Sequence, residues 1–131
     1  MMPPGLTTIA SAFGPKETAD RLAAAVTAKG LTVFARIDHA AGAQAVGMEL
    51  RPTEVLLFGN AKGGTPLMQA QQSAGIDLPL KALIWQNKTG QTFLSYNDPA
   101  WIAARHGIDA PTVVAALANV LAGLAKAATE A

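Results

Sequence analysis

Apolar residues follow two different periods along this chain, and the period changes at glycine and proline residues. Apolar and β-branched runs predict five strands, at residues 7–13, 31–37, 53–58, 80–85 and 92–96. Helical spacing between these runs predicts helices at residues 15–29, 39–46, 65–74, from 99 onward and 112–129. Proline stands near the start of four of these helices, where its missing N–H is tolerated.

The last two predicted strands form a hairpin. Residues 87–90, Asn-Lys-Thr-Gly, favour a type I turn with glycine in the left-handed position. The corresponding register places Lys81 opposite Asn97, so that Lys81, Ser95 and Asn97 share one face of the sheet. A one-residue slip would instead place Lys81 opposite Tyr96.

The order of elements does not alternate strictly enough for a doubly wound parallel sheet. We therefore predict an α+β, two-layer domain with a mainly antiparallel sheet, helices packed on one face, and a long C-terminal helix. Residues 1–131 are expected to form a single domain, with residues 1–6 flexible.

Both faces of the predicted hairpin carry apolar side chains. Leu83, Trp85 and Phe93 alternate with the apolar residues of the other face. A sheet that is apolar on both faces needs a further layer or a second subunit. We expect a homodimer.

Composition narrows the class of protein. The 10 Lys and Arg residues nearly balance the 9 Asp and Glu residues, which gives a net charge of +1 and no basic block. Binding to nucleic acid or to a membrane is therefore not expected. The chain has no cysteine and no signal-peptide pattern at its start, and we expect no apolar run near the ~20 residues that span a bilayer. These features predict a soluble cytoplasmic protein.

Residues 59–65, Gly-Asn-Ala-Lys-Gly-Gly-Thr, are predicted to form a loop between a strand and a helix. Backbone N–H groups in such a loop can converge on an anion, and Lys62 would add a positive charge. Asn60, Lys62, Gly64 and Thr65 are accordingly candidate ligand-binding residues. The segment does not match a Walker loop, because no lysine separates Gly64 from Thr65. The alternative is a tight turn followed by a helix cap at Thr65.

A second polar cluster ends the fifth strand. Ser95, Tyr96 and Asn97 are candidate ligand contacts, whereas Asp98 before a proline is explained by N-capping of the next helix. Tyr96 has the alternative of packing in the core with its hydroxyl on a carbonyl group.

Lys81 interrupts an apolar strand and is a candidate ligand-binding residue. A charge at this position must reach water, a carboxylate or a bound anion, and a lowered pKa would suit Schiff-base or general-base chemistry. The alternative is an alkyl stem lying over Leu83 with a solvated ammonium group.

The chain has two histidines, His39 and His106. No close spacing of ligands supports a metal site, and neither histidine has a neighbouring serine in the sequence that forms a triad. His106 is a candidate ligand contact, with the alternative of interacting with carbonyl groups at a helix C-terminus. No catalytic residue and no cofactor can be assigned.

Several motifs together carry a resemblance to a known family. They are FGNAKGGTPLMQ, GIDLPLKALIW and LSYNDPAWIAARHGI, with IDHAAGA and ELRPTEVLLFGN upstream. The chain resembles the bacterial domain of unknown function family 302 over nearly its whole length. That resemblance implies a compact α/β domain that associates as a dimer, and it implies no defined activity. Ala61 departs from the proline expected after the asparagine.

Three uses follow, in order of preference. The first is a homodimeric module that binds a small molecule, such as an anionic or phosphorylated one, in a crevice shared by residues 59–65, Lys81 and residues 95–97. The second is an enzyme of acid-base or carbonyl chemistry that uses Lys81, Tyr96 and a histidine. The third is a protein-interaction module without a ligand.

Overall fold

A computed structural model describes residues 2–131, and Met1 lies outside the described residues. The strands are β1 (Leu6–Ala10), β2 (Thr32–Asp38), β3 (Thr53–Gly59), β4 (Leu80–Gln86) and β5 (Thr92–Asn97). They form one antiparallel sheet in the order β1-β5-β4-β3-β2. The predicted α+β fold with a mainly antiparallel sheet is confirmed.

The helices are α1 (Pro15–Ala28), α2 (His39–Ala45), α3 (Ala61–Ala70), α4 (Pro99–Arg105) and α5 (Pro111–Thr129), with a 3₁₀ helix at Gln72–Asp77. The predicted start of the third helix at Thr65 is wrong. Asn60 caps α3, because its side-chain oxygen accepts the N–H of Gly63 at 2.8 Å. Gly63 and Gly64 are therefore helical and do not form a loop.

The hairpin has the predicted register. The N–H of Asn87 donates to the carbonyl oxygen of Gln91 at 2.9 Å, and Gly90 has a φ of +88°. Trp85 pairs with Phe93 as predicted. Local turn chemistry thus determines which side chains of β4 and β5 share a face.

One face of the sheet supports the core. Leu56 and Phe58 from β3 and Ile84 from β4 are at most 1% exposed. Residues of α1, α3 and α5, among them Leu22 and Leu67, complete this cluster. The middle strand of the sheet is β4.

The opposite face, the open face, is also apolar. It consists of half-buried side chains from the three inner strands: Val55, Leu57, Leu83, Trp85 and Phe93. The Trp85 and Phe93 rings stack with their centroids 4.9 Å apart. The residues of the core cluster come from the other side of the sheet and from the helices that cover it.

The edge strand β2 is irregular. Its pairing with β3 shifts between Val33 and Ala35, which leaves Phe34 as an extra residue in a β-bulge. The Phe34 side chain is 54% exposed. The other edge strand is the five-residue β1.

Within residues 2–131, α5 is the helix that has the length and composition to cross a membrane. The expectation that no apolar run approaches this length is therefore wrong. Leu117, Leu121 and Leu124 of α5 are buried in the core cluster. A core helix of a folded domain meets the same criteria, so this finding alone does not establish a membrane span.

Candidate functional site

An apolar cavity of about 480 Å³ lies between α3 and α5, at the end of the sheet where β3 leads into α3. Its wall combines apolar side chains with glycine backbone from four stretches of the chain: Leu31, Phe34, Phe58, Gly59, Asn60, Ala61, Gly63, Gly64, Met68, Gly75, Leu78, Pro79, Leu80, Ala116, Leu117 and Val120. Asn60 is the polar side chain among them, and its oxygen is occupied by the helix cap. The cavity therefore suits an apolar group.

Small residues keep this cavity open on the side of α3. A Cβ atom at Gly63 would lie 3.5 Å from a methyl group of Leu117, and one at Gly64 would lie 3.6 Å from a methyl group of Leu78. Larger side chains at these two positions would fill the space between α3 and its neighbours. The glycines thus shape the cavity from within a helix rather than from a loop.

A polar cluster lies next to the cavity, around the segment that joins the 3₁₀ helix to β4. The Asp77 carboxylate lies 2.6 Å from Nε2 of His106 and 2.9 Å from a guanidinium nitrogen of Arg105. The hydroxyl of Ser73 lies 2.8 Å from Nδ1 of His106. The polar cluster, consisting of Ser73, Asp77, Arg105 and His106, fastens the 3₁₀ helix to the end of α4.

Lys81 lies beside this cluster. Its ammonium group donates to the carbonyl oxygen of Pro79 at 2.8 Å and to that of Asp77 at 3.1 Å. Burial lowers the pKa of Lys81 below its ordinary value, and the negative charge of Asp77 partly opposes this effect. The ammonium is occupied by backbone carbonyl groups, so the predicted alternative of a solvated head over Leu83 does not describe it.

The residues predicted from segment 59–65 have separate positions. Asn60 and Gly64 line the cavity, whereas Lys62 and Thr65 are exposed on α3 and do not line it. Because α3 begins at Ala61, the predicted glycine loop does not exist. The prediction of an anion-binding loop here is wrong in its geometry.

The residues predicted from the end of β5 do not gather in a crevice. Ser95 and Asn97 lie on the open face, and Tyr96 lies on the covered face beside the core. The Ser95 hydroxyl is buried and bonds to the hydroxyl of Thr8 at 2.8 Å and to the indole N–H of Trp85 at 2.9 Å. None of these three strand residues lines the cavity, so the predicted shared crevice is wrong.

Asp98 has a different role from the predicted one. Its carboxylate makes no side-chain cap on α4 and instead accepts the hydroxyl of Thr7 from β1. Burial raises the pKa of Tyr96 above its ordinary value, the charge of Asp98 raises it further, and a hydrogen bond with Thr7 opposes both effects. Tyr96 and Lys81 lie on opposite faces of the sheet, which separates the two residues proposed for carbonyl chemistry.

His106 follows the last residue of α4, and its imidazole contacts side chains of the 3₁₀ helix rather than the carbonyl groups at the end of α4. Its side chain is 7% exposed and is held by Ser73 and Asp77, so the expectation that no serine neighbours a histidine is wrong in three dimensions. His39 begins α2 and is exposed. In the described part of the chain, residues 2–131, no group of three or more His, Asp or Glu side chains could hold a metal ion.

Ser73, Asp77 and Arg105 were not predicted as site residues from the sequence. Ser73 and His106 are 33 positions apart, and Asp77 and His106 are 29 apart, so no local spacing indicates their contact. The one available signal was an acidic residue directly before the apolar segment Leu78–Leu80. That signal does not identify a partner.

Comparison with known proteins now identifies the family. The sequence model described as "Domain of unknown function DUF302" matches residues 7–124. The chain belongs to this family, as the resemblance of its motifs indicated. The crystal structure of an uncharacterized conserved DUF302 protein from Bacillus stearothermophilus has a TM-score of 0.83 and 19% identity, and the match covers 96% of this chain and 99% of that one. At that identity the likeness supports the fold alone.

Curated relatives come from Brucella. The chain is 45% identical over 116 residues to "Fluoride-specific ion channel FluC 1" of Brucella suis biovar 1 (strain 1330), which is 88% of this chain and 46% of that protein. It is equally similar to "Fluoride-specific ion channel FluC 2" of Brucella melitensis biotype 1, of which 43% is covered. The chain thus spans less than half the length of these relatives.

These names correct the predicted cytoplasmic location. An ion channel acts in a membrane, and relatives at 45% identity over 88% of the chain carry that name. The prediction of a cytoplasmic protein is therefore wrong. The cytoplasmic prediction rested on the absence of cysteine and of a signal-peptide pattern. Neither feature indicates whether the domain is fused to a membrane protein or forms a complex with one.

Proposed function

We propose that this domain binds a small, mainly apolar molecule in the cavity between α3 and α5. The observation that carries the proposal is the cavity of about 480 Å³, whose wall is apolar side chain and glycine backbone. Ligand sites of proteins commonly have volumes of about 300–1,000 Å³ and mostly apolar walls with few polar groups. The cavity fits this description.

The wall also indicates the class of ligand. Lys62 is outside the cavity, Lys81 is bound to backbone carbonyl groups, and the Asn60 oxygen caps α3. An anionic or phosphorylated ligand would find little to balance its charge there. A neutral aliphatic or aromatic molecule loses apolar surface to the wall at no such cost.

A variant at the rim of the cavity tests the proposal. Ala116 lines the cavity and is exposed, so Ala116→Phe narrows the cavity without entering the core. Ala115 is equally exposed on α5 but does not line it, so Ala115→Phe is the matched control. Titration with the neutral fluorescent amine N-phenyl-1-naphthylamine is expected to show at least about tenfold weaker binding for Ala116→Phe, which is a loss of about 1.4 kcal/mol.

The control variant should bind the amine as the original protein does. Equal affinity in all three proteins, or no saturable binding, would contradict the proposed site. Native mass spectrometry of the purified protein adds a second readout, since a ligand retained from the host should disappear in Ala116→Phe and remain in Ala115→Phe.

We propose in addition that the domain forms a homodimer through the open face. Leu57, Leu83 and the stacked Trp85–Phe93 pair form a continuous apolar area on the inner strands, and such areas on soluble proteins commonly mark interfaces. A second copy related by a two-fold axis would bury the same residues on both subunits. The family resemblance to dimeric domains agrees with this arrangement.

Light scattering at micromolar concentration tests the dimer. Leu83→Lys places a charge in the open face and is expected to yield a monomer. Ile76→Lys is the matched control, because Ile76 is an apolar residue that is 73% exposed on the 3₁₀ helix, outside the open face. A monomeric mass for the unaltered protein would refute the dimer.

A second candidate function is association with a membrane channel protein. The channel-named relatives contain about as much sequence outside the matched part as inside it, so a domain of this family shares a chain with further sequence there. We propose that the present domain likewise works beside a membrane protein. In fractionated cells of its host, the protein should sediment with membranes, and recovery in the soluble fraction alone would oppose the proposal.

A further inference from the structure

The polar cluster contains a continuous chain of hydrogen bonds from a hydroxyl to a carboxylate. Ser73 Oγ lies 2.8 Å from Nδ1 of His106, and Nε2 of the same ring lies 2.6 Å from the Asp77 carboxylate. With its proton on Nε2, the ring donates to Asp77 and leaves the Nδ1 lone pair to accept the Ser73 hydroxyl proton. A nucleophile, a base and a group that orients the base are thus in hydrogen-bond contact.

The three hydrogen-bonded side chains differ in solvent exposure in the way that a reactive serine requires. The Asp77 and His106 side chains are 12% and 7% exposed, while Ser73 belongs to the exposed surface of the 3₁₀ helix. A substrate can therefore reach the hydroxyl, whereas water is largely excluded from the base and its partner. Arg105 contacts the same carboxylate and holds it in place from the solvent side.

We propose that Ser73 is the nucleophile of an acyl-transfer site for carboxylic esters, with His106 as general base and Asp77 as the positioning residue. This proposal goes beyond ligand binding in the cavity and does not rest on it. The two share only the segment from the 3₁₀ helix to β4, which contributes Gly75 and Leu78 to the cavity wall. The serine itself does not line the cavity.

The chemistry balances without a cofactor. As Oγ of Ser73 forms a bond to the ester carbonyl carbon, the hydroxyl proton passes to Nδ1 of His106. Collapse of the tetrahedral intermediate breaks the bond to the leaving alkoxide, which takes that proton and departs as the alcohol. Water then attacks the acyl-serine, gives its proton to Nδ1, and the carboxylic acid is released as Ser73 recovers its proton.

Covalent labelling tests the nucleophile directly. A fluorophosphonate forms a phosphorus–oxygen bond with an activated serine and loses fluoride, so the intact protein should gain the mass of the phosphonyl group. Peptide mapping should place the adduct on Ser73. Ser73→Ala should abolish it, and Thr89→Ala, which removes an exposed hydroxyl in the hairpin turn, should not.

Turnover of p-nitrophenyl acetate supplies the second readout, because this leaving group needs little protonation. Ser73→Ala should reduce hydrolysis to the background rate measured in buffer without protein. His106→Gln should slow labelling by about 100-fold or more, as expected for loss of a general base. A phosphonyl adduct elsewhere, no adduct, or unchanged hydrolysis in Ser73→Ala would overturn the proposal.

The variant Asp77→Asn distinguishes a role of Asp77 in orienting His106 from a purely structural role. If Asp77 only fastens the 3₁₀ helix to α4, the variant should lose stability and keep the labelling rate of its folded fraction. If it positions His106, the folded variant should show a lower kcat with an unchanged KM for p-nitrophenyl acetate. Equal kcat in the two proteins would refute the positioning role.

Discussion

The two faces of the sheet are built from neighbouring residues of the same strands, yet their environments differ. Ile84 on the covered face is 1% exposed, whereas the adjacent Leu83 on the open face is half-buried. The period of two along a strand places one residue among the helices and the next at the surface. The covered face therefore supports the fold, and the apolar open face is available for another function.

Truncation of adjacent residues should show this difference most strongly. Ile84→Ala leaves a cavity in the core and should reduce the free energy of unfolding by about 2–5 kcal/mol. Leu83→Ala should cost less than half as much in dilute solution, because its side chain is already partly exposed. Urea unfolding at two protein concentrations measures both losses.

Measuring unfolding at two protein concentrations also tests whether the open face forms the dimer interface. In a dimer, the loss for Leu83→Ala grows as the protein concentration rises, since association stabilises the folded state. The loss for Ile84→Ala should depend less on concentration. Equal losses for the two variants at both concentrations would contradict the assignment of the faces.

The indole N–H of Trp85, on the open face, should contribute less to the free energy of unfolding than the buried side chain of Ile84. Trp85→Phe keeps an aromatic ring against Phe93 but removes the N–H donor to Ser95, whose hydroxyl keeps its bond to Thr8. The expected loss in free energy of unfolding is about 1 kcal/mol. A double-mutant cycle with Ser95→Ala should recover most of that value as coupling between the two residues, and additive effects would refute the hydrogen bond as its source.

Raising the pH should have the smallest effects on stability. The effects of Lys81 on the open face and of Tyr96 on the covered face should have opposite signs. The pKa of Lys81 is lowered by burial, so the folded state binds fewer protons than the unfolded state between that pKa and 10.5. Stability therefore rises with pH in that window. Lys81→Met should remove this rise in urea midpoints measured from pH 7 upward.

The pKa of Tyr96 is raised by burial, so its contribution is complete below pH 10 and is lost as pH rises through the folded-state pKa. Tyr96→Phe should remove this loss, which makes the variant less sensitive to alkali than the original protein. Parallel changes in the two variants would contradict the assigned causes of the pKa shifts.

Local chemistry made much of the fold predictable. The glycine at position 90 and the asparagine at position 87 determine the hairpin register, and Asp38 caps α2 by accepting the N–H of Ala41. The third helix was mispredicted, because Gly63 and Gly64 have low helix propensity and suggested a loop. Capping by Asn60 and packing against α5 outweigh that propensity.

The candidate site was much less predictable, because its contacts are not local. Asp98 before a proline has the sequence pattern of an N-cap, but its carboxylate bonds to Thr7, 91 positions away. The contact of His106 with Ser73 and Asp77 depends on how α4 packs against the 3₁₀ helix. A sequence pattern records neither distance in space nor the direction of a side chain. The apolar cavity likewise emerges only when α5 is placed beside α3.

The bulge at Phe34 has a consequence for self-association. An uninterrupted outer strand offers a row of free backbone groups to any extended peptide, and fibril growth exploits such rows. In β2 the extra residue breaks that row near its beginning, and β1 at the far side has only five residues. Neither edge strand offers a long, regular row of unpaired backbone groups. Edge-to-edge polymerisation of the sheet is therefore disfavoured, even though one face of the sheet is exposed and apolar.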